Sequence, residues 1–186
     1  MTDLDGIPLE SVRRLRRSEY DRMVDLGMFG DERVDLLDGI LVVGHRASPP
    51  HAESVCRLSE TLMPALRGRA RILIRAPFAA SEYSEPEPDL ALVPVADYST
   101  AHPASSFLVI EVADSSLRKD RALKGRLYAR AAIPEYWIVD LTSRAIEVYR
   151  SPVDGLYTDT ERYSAGMVLL PAAFPDVAVD VAALIP

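Results

Sequence analysis

Phe107-Leu108-Val109-Ile110-Glu111-Val112-Ala113 leads into a polar turn, a basic stretch and then Tyr136-Trp137-Ile138-Val139-Asp140. The first run lacks the alternation of a half-exposed strand, as expected of a central strand covered on both faces. Ser115 or Ser116 can cap a helix over about 118–132, and Ile133-Pro134-Glu135 ends it. Residues 136–139 read as a second buried strand. A strand–helix–strand unit spanning 107–140 has the length of a right-handed crossover between parallel strands. The expected fold class is α/β, a mixed β-sheet core flanked by helices.

Glu111 is the anomaly in that run, because an ionised carboxylate sits among residues suited to a buried strand. Asp89 stands at the mouth of another apolar run, Leu90-Ala91-Leu92-Val93, after a proline suited to a strand's first residue. On the intervening helix Asp120, Lys124 and Tyr128 recur at i+4 beside Leu123, Leu127 and Ala131. That phase turns Lys124 inward and leaves Lys119, Arg126 and Arg130 on the other face. A buried ammonium requires a carboxylate close by. Asp89 and Glu111 about 5 Å apart on neighbouring strands would repel by roughly 3 kcal/mol at an effective dielectric of ~20. Such a pair needs a proton or a cation. Mg²⁺ suits it, since that ion takes a few carboxylates and keeps waters and substrate phosphate oxygens. Lys124 would then orient an attacking water or stabilise developing negative charge. The three charges alone fit a structural carboxylate–lysine network equally well.

Working outward, residues 9–17 are short and basic and read as an extended arm or a strand. Ser18 looks like a helix N-cap, with Asp21 three residues on. That helix carries Tyr20, Met23, Val24 and Met28 and stops near Gly27 to Gly30. Asp38-Gly39 between two apolar runs predicts a β-hairpin over 34–43. Asp35 within it is either an edge-strand acid facing water or a third acid near the site. After Ser48-Pro49-Pro50, a helix begins at His51, with Val55, Leu58, Leu62 and Leu66 at helical spacing and a kink or end at Pro64. His51 stands at the element boundary and is either structural or functional. Strands are expected at 71–75, 145–150 and 156–163, with a turn at Asp154-Gly155, and a last short one through Val177, Val179 and Val181.

At 186 residues the chain is expected to be one domain: an N-terminal arm and helix over 1–30, a core over about 31–150 and C-terminal strands over 151–186. Hydrophobic residues at 48% exclude a disordered chain. No apolar run reaches membrane-spanning length and no signal-peptide core is visible, so a cytoplasmic protein without a membrane partner is expected. The single cysteine, Cys56, reads as a packed thiol. Three histidines at no regular spacing give no zinc site, and neither a nucleophile elbow nor a P-loop is present. The net charge of −7 argues against coating nucleic acid by bulk charge. The basic residues are nevertheless local: five arginines against one acid over 57–75, and six basic residues against one acid over 117–130. They form either a solvated helix face or a phosphate-contacting surface.

The ordered set Arg33-Val34-Asp35-Leu36-Leu37-Asp38-Gly39, Pro49-Pro50-His51-Ala52 and Tyr83-Ser84-Glu85-Pro86-Glu87-Pro88-Asp89-Leu90-Ala91-Leu92 carries a resemblance. It continues through Val109-Ile110-Glu111-Val112-Ala113-Asp114-Ser115-Ser116-Leu117-Arg118, Asp120-Arg121, Lys124, Leu127-Tyr128-Ala129-Arg130 and Ile133-Pro134-Glu135-Tyr136-Trp137-Ile138-Val139-Asp140. The sequence resembles the Uma-two-like family of restriction endonucleases, within the PD-(D/E)XK nuclease superfamily. That resemblance implies a restriction-endonuclease-like core, a dimer, and a Mg²⁺-dependent endonuclease acting on DNA, with Mn²⁺ as a substitute. It assigns Asp89 and Glu111 as metal-binding acids. The superfamily's usual lysine, two residues after the glutamate, is Ala113 here, and the family pattern points instead to Lys124. The family's first acid is usually glutamate, and here it is Asp35, whose shorter side chain would reach a metal through water. His51 matches a family histidine. The alternative from another class is a non-catalytic nucleic-acid-binding or assembly module that keeps the fold.

Overall fold

The computed structural model describes residues 12–44 and 46–186. The arm expected over 9–17 lies partly outside the described residues, and residues 12–16 form no strand. The first helix, α1 (Arg17–Asp25), is capped differently from the expectation: Arg16 is the N-cap residue, and the Glu19 carboxylate accepts from its backbone N–H at 2.9 Å. Glutamate at the third helical position reaches back to the N-cap amide, which Asp21 does not do here. Of the expected apolar stripe only Tyr20 is buried.

Strands β1 (Val34–Leu37) and β2 (Ile40–Val43) form the expected hairpin, with Leu37 opposite Ile40. Asp38 and Gly39 have φ of 51° and 76°, the pair of positive values a two-residue type I′ turn requires. Helix α2 (Pro49–Ala65) starts two residues earlier than His51, with prolines in the first turn, where their missing N–H costs nothing. Ser48 caps it, its Oγ accepting from the His51 N–H at 3.3 Å. Pro64 falls in the last turn, so it marks an end. Val55, Leu58, Leu62 and Leu66 are buried as the spacing requires. Cys56, one step round the helix from Val55, is exposed, which corrects its reading as a packed thiol.

The main sheet has six strands in the order β3 (Arg71–Ile74), β4 (Leu90–Val93), β5 (Leu108–Ala113), β6 (Glu135–Asp140), β7 (Ala145–Val153) and β8 (Leu156–Ser164). β5 and β6 run parallel and every other neighbouring pair is antiparallel, so the sheet is mixed as expected. Every residue of β4, β5 and β6 is buried. A short pair, β9 (Val168–Leu169) with β10 (Val179–Asp180), replaces the expected last strand. Val181 already begins helix α5 (Val181–Leu184), because the Asp180 carboxylate caps it by accepting from the Ala182 N–H at 2.9 Å.

The crossover between β5 and β6 is not one regular helix. It is α3 (Leu117–Lys119), a π-helical turn (Asp120–Lys124) and α4 (Gly125–Arg130). The π turn adds a residue to the circuit, closed by the Gly125 N–H donating to the Asp120 carbonyl. Asp120 and Lys124, the ends of this turn, are both buried, as the i+4 phase requires. Lys119, expected on the outer face, is brought to the rim of the cavity described below.

One face of the sheet packs against α2 and the C-terminal segment through Leu90, Leu92, Ile110, Val112, Trp137 and Val139. The other packs Ala91, Val109, Ala113 and Ile138 against Leu127, Tyr128, Leu37 and Phe78. No helix among the described residues is long and apolar enough to cross a membrane.

Candidate active site

The antiparallel registers Ile74 to Leu90 and Leu90 to Ile110 put the next residues outward, Arg75, Asp89 and Glu111, in one row across three adjacent strands. Residues directly opposite in a sheet project to the same face. This is the face of Ala91 and Ala113, whose small side chains leave room. A cavity of about 410 Å³ opens there, between the β1–β2 hairpin, the start of α2 and the π turn. Asp35, His51, Asp89, Glu111 and Lys124 all line it, so the structure gathers every residue singled out from the sequence.

Asp89 is 6% exposed. Its Oδ2 accepts from His51 Nε2 at 3.0 Å and from the Val112 N–H at 2.9 Å. Burial alone would raise its pKa, but these hydrogen bonds outweigh it and hold the carboxyl below the ordinary aspartate range. The other oxygen, Oδ1, lies 3.4 Å from Arg75 Nε.

Glu111 accepts two donors on one oxygen. Lys124 Nζ and the Tyr128 hydroxyl each donate to Oε1 at 2.7 Å, leaving Oε2 without a protein donor among the described residues. Burial pushes the Glu111 carboxyl up to about 8, against the pull of Lys124. Burial would lower Lys124, but Glu111, Asp35 and Asp120 around it hold it above its usual range, so it stays an ammonium. An ammonium carries three donors, and only one is taken here.

Asp35 reaches the site because the hairpin docks on the segment before β4. Leu36 bridges Glu85 backbone to backbone, Arg33 pairs with Glu87 at 2.9 Å, and Asp35 Oδ1 accepts from the Glu87 N–H at 3.3 Å. Asp35 therefore does not simply face water, and burial, more than Lys124 can offset, raises its pKa.

Asp120 was visible on the inward stripe, but the spacing gave it no role. It is 1% exposed, accepts from the Ser116 hydroxyl on Oδ2, and keeps Oδ1 buried without a donor. Burial raises its pKa. Arg75 counts in the sequence only as one of the arginines over 57–75, because strand register, which aligns it with Asp89, is not written in local spacing. The wider basic surface divides. Arg57 pairs with Glu53, Arg69 with Asp176, Arg121 with Glu147 and Arg130 with Asp38, whereas Arg33, Arg46, Arg75 and Lys119 line the cavity.

The donor chemistry suits a hard divalent cation. Asp89 Oδ1 and Glu111 Oε2, on adjacent strands, are carboxylate oxygens without a hydrogen-bond donor among the described residues. No group of three or more acids, histidines or cysteines closes round a metal position among the described residues. Two carboxylates alone would leave water and phosphate oxygens to complete such an ion's shell.

A family model, Uma2, described as "Putative restriction endonuclease", matches residues 17–182. A solved structure, described as a "putative nuclease belonging to DUF820 from Anabaena variabilis ATCC 29413", is similar at a TM-score of 0.65 and 13% identity. The similarity covers 81% of this chain and 88% of that one, and at this identity it shows the fold alone. No curated protein matches the sequence.

Proposed function

This chain belongs to the Uma2 family of restriction-endonuclease-like proteins, and from that premise we propose that it is a Mg²⁺-dependent endonuclease hydrolysing phosphodiester bonds in DNA. The single observation that carries the reading is the Glu111–Lys124 contact at 2.7 Å beside Asp89, at the wall of a cavity rimmed by arginines. Asp89 and Glu111 are the proposed metal ligands, and Asp35 acts through water. Mg²⁺, or Mn²⁺ in its place, would supply Lewis acidity at the phosphodiester and lower the pKa of water.

The chain's own groups do the rest. His51 and the Val112 N–H fix one Asp89 oxygen and leave the other for the cation. Tyr128 and Lys124 fix Glu111 in the same way. The two remaining Lys124 donors are available to the attacking water and to the non-bridging phosphate oxygen on which charge develops. The lysine expected beside the glutamate is thus supplied from the next helix, and the π turn delivers it. A homodimer acting in the cytoplasm completes the reading, and sedimentation at micromolar concentration tests the dimer.

A second reading has its own support. Each of the two acids already has a cation beside it in the protein, Arg75 near Asp89 and Lys124 on Glu111, and no preformed three-ligand metal group exists among the described residues. A binding module that keeps the fold without catalysis would look like this. Supercoiled plasmid and a short duplex, incubated with Mg²⁺ or Mn²⁺, separate the two. The endonuclease reading requires cutting by the wild type and none by Asp89→Ala. Equal behaviour of the two proteins with both metals would sink it.

A further inference from the structure

We propose that Arg75 grips the substrate phosphate beside Asp89 as a contact residue. Arg75 follows the last residue of β3 and stands opposite Asp89 in the row that continues to Glu111. Three adjacent strands thus present one cation and two acids at the same level, about 5 Å apart from strand to strand. Asp89 and Glu111 would hold the cation, and the guanidinium beside Asp89 would meet the phosphate that the same cavity takes.

Other cavity cations are committed or peripheral. Lys124 is anchored on Glu111 and keeps its free donors for the reacting centre, Arg33 is paired with Glu87, and Arg46 and Lys119 stand at the rim. Arg75 is rooted but not saturated. Its Nε is buried 3.4 Å from Asp89 Oδ1 without a hydrogen bond, and its terminal nitrogens have no acceptor among the described residues. A planar fork anchored at its base and open at its tip is the geometry that binds phosphate oxygens in pairs.

The backbone supplies a second, independent sign. Arg75 has φ of 48°, in the left-handed region that side chains avoid. Among the described residues five other side-chain-bearing positions share it: Asp38 and Asp154 in two-residue hairpin turns, Arg144 in the turn between β6 and β7, Ala132 just past α4 and Ser151 within β7. Arg75 sits in no hairpin turn. Its N–H donates to the carbonyls of Pro88 and Asp89, both at 3.1 Å, which locks the residue in that conformation against Asp89. Glycine adopts it without strain, so an arginine here is held at a cost to the fold, as is common where geometry serves binding.

The proposal rests on the nuclease reading only for the identity of the phosphate. The test measures fluorescence anisotropy of a short DNA duplex in EDTA across salt concentrations, with thermal midpoints taken with and without pyrophosphate. Arg75→Gly is expected to weaken duplex binding about tenfold. The slope of log affinity against log salt should become shallower by about 0.9, the loss of one phosphate contact. Its midpoint should not fall. Arg75→Lys keeps the charge and the salt slope but loses affinity. If wild type binds no duplex, yet pyrophosphate raises its midpoint and Arg75→Gly abolishes that rise, Arg75 stands and the nucleic-acid reading falls. Wild-type affinity in both variants overturns the proposal. So does a midpoint lowered by Arg75→Gly and restored by Arg75→Lys with binding intact, or a wild type that responds to neither probe.

Discussion

Two buried glutamates lie on neighbouring parallel strands and have opposite fates. Glu135, on β6, is fully buried, and both its oxygens are taken: Trp137 Nε1 and Arg150 Nε donate to Oε1 at 2.9 Å, and the Ala172 N–H donates to Oε2 at 2.6 Å. It ties β6 to β7 and to the C-terminal segment, and nothing is left over. Glu111, on β5, crowds both its donors onto one oxygen and turns the other toward a cavity. Burial of a carboxylate therefore does not mark function. An unfinished set of hydrogen bonds beside open space does, because every buried oxygen needs a partner and a missing one has to come from outside.

That contrast predicts a clean split. Glu111→Gln should lower cleavage by about a thousandfold or more, since it removes a charged metal ligand, and should lower the thermal midpoint too, since it leaves the buried Lys124 ammonium with only Asp35 and Asp120 to offset its charge. Glu135→Gln should lower the midpoint alone. Removing one charge of a buried pair costs about 3–5 kcal/mol, or a midpoint lower by about 10 °C for a chain this size, with cleavage per folded molecule intact. Plasmid nicking and calorimetry on the same preparations check both arms. Equal loss of activity in the two variants would erase the distinction. Lys124→Met comes next: cleavage should drop about a hundred- to a thousandfold, the range for removing a donor aimed at developing charge. Single-turnover rates at saturating metal measure it, and a rate within a few-fold of wild type would leave Lys124 a mere counterion of Glu111.

Much of this difference was legible in the sequence, but unevenly. Glu111 inside an unbroken apolar run, Asp89 after a proline and Lys124 on the inward stripe were readable from spacing, because burial and helical phase are local properties. The alternatives they left open were not decided by spacing. Asp35 needed the Leu36–Glu85 bridge, which joins segments about fifty residues apart. Arg75 needed the register of three strands. The π turn was invisible, since one extra residue in a helical circuit leaves no compositional trace, and with it went the placement of Lys119. Glu135 shows the limit from the other side: nothing in Ile133-Pro134-Glu135 announced that Trp137, Arg150 and Ala172 would complete its bonds.

His51 sharpens the comparison at a smaller scale, because Asp89 also divides its oxygens between a finished and an unfinished side. The ring donates to Oδ2 and so orients the oxygen that faces the cavity. His51→Ala should weaken Mn²⁺ binding about 10–100-fold, the usual loss when a group that orients a ligand is removed. Titration calorimetry reads it directly. Affinity unchanged by the substitution would reduce His51 to a structural partner of Asp89.

The smallest effect is the pH dependence that Glu111 gives to stability. Glu111 titrates near 8 in the folded protein and near 4.5 in the unfolded chain, because burial favours its neutral form. Between those values the folded state binds more protons, so stability falls as pH rises from about 4.5 through about 8. Asp35 and Asp120, raised by burial, act in the same direction at the acid end. Asp89 has the opposite sign, but its depressed pKa confines its effect to pH below the ordinary aspartate value. Lys124, held above its usual range, loses its contribution only in strong alkali and does not mask the window. Without metal, the midpoint should therefore decline by up to about 3 °C per pH unit toward pH 8. Glu111→Gln should flatten most of that decline, and a milder variant of the Glu135 network, Arg150→Lys, should keep it. Saturating Mg²⁺ should reverse the trend, because metal and proton compete for the same carboxylate and metal binding strengthens as the proton leaves. A decline that persists in Glu111→Gln would place the titrating group elsewhere and remove the physical basis for reading Glu111 as the unfinished one of the pair.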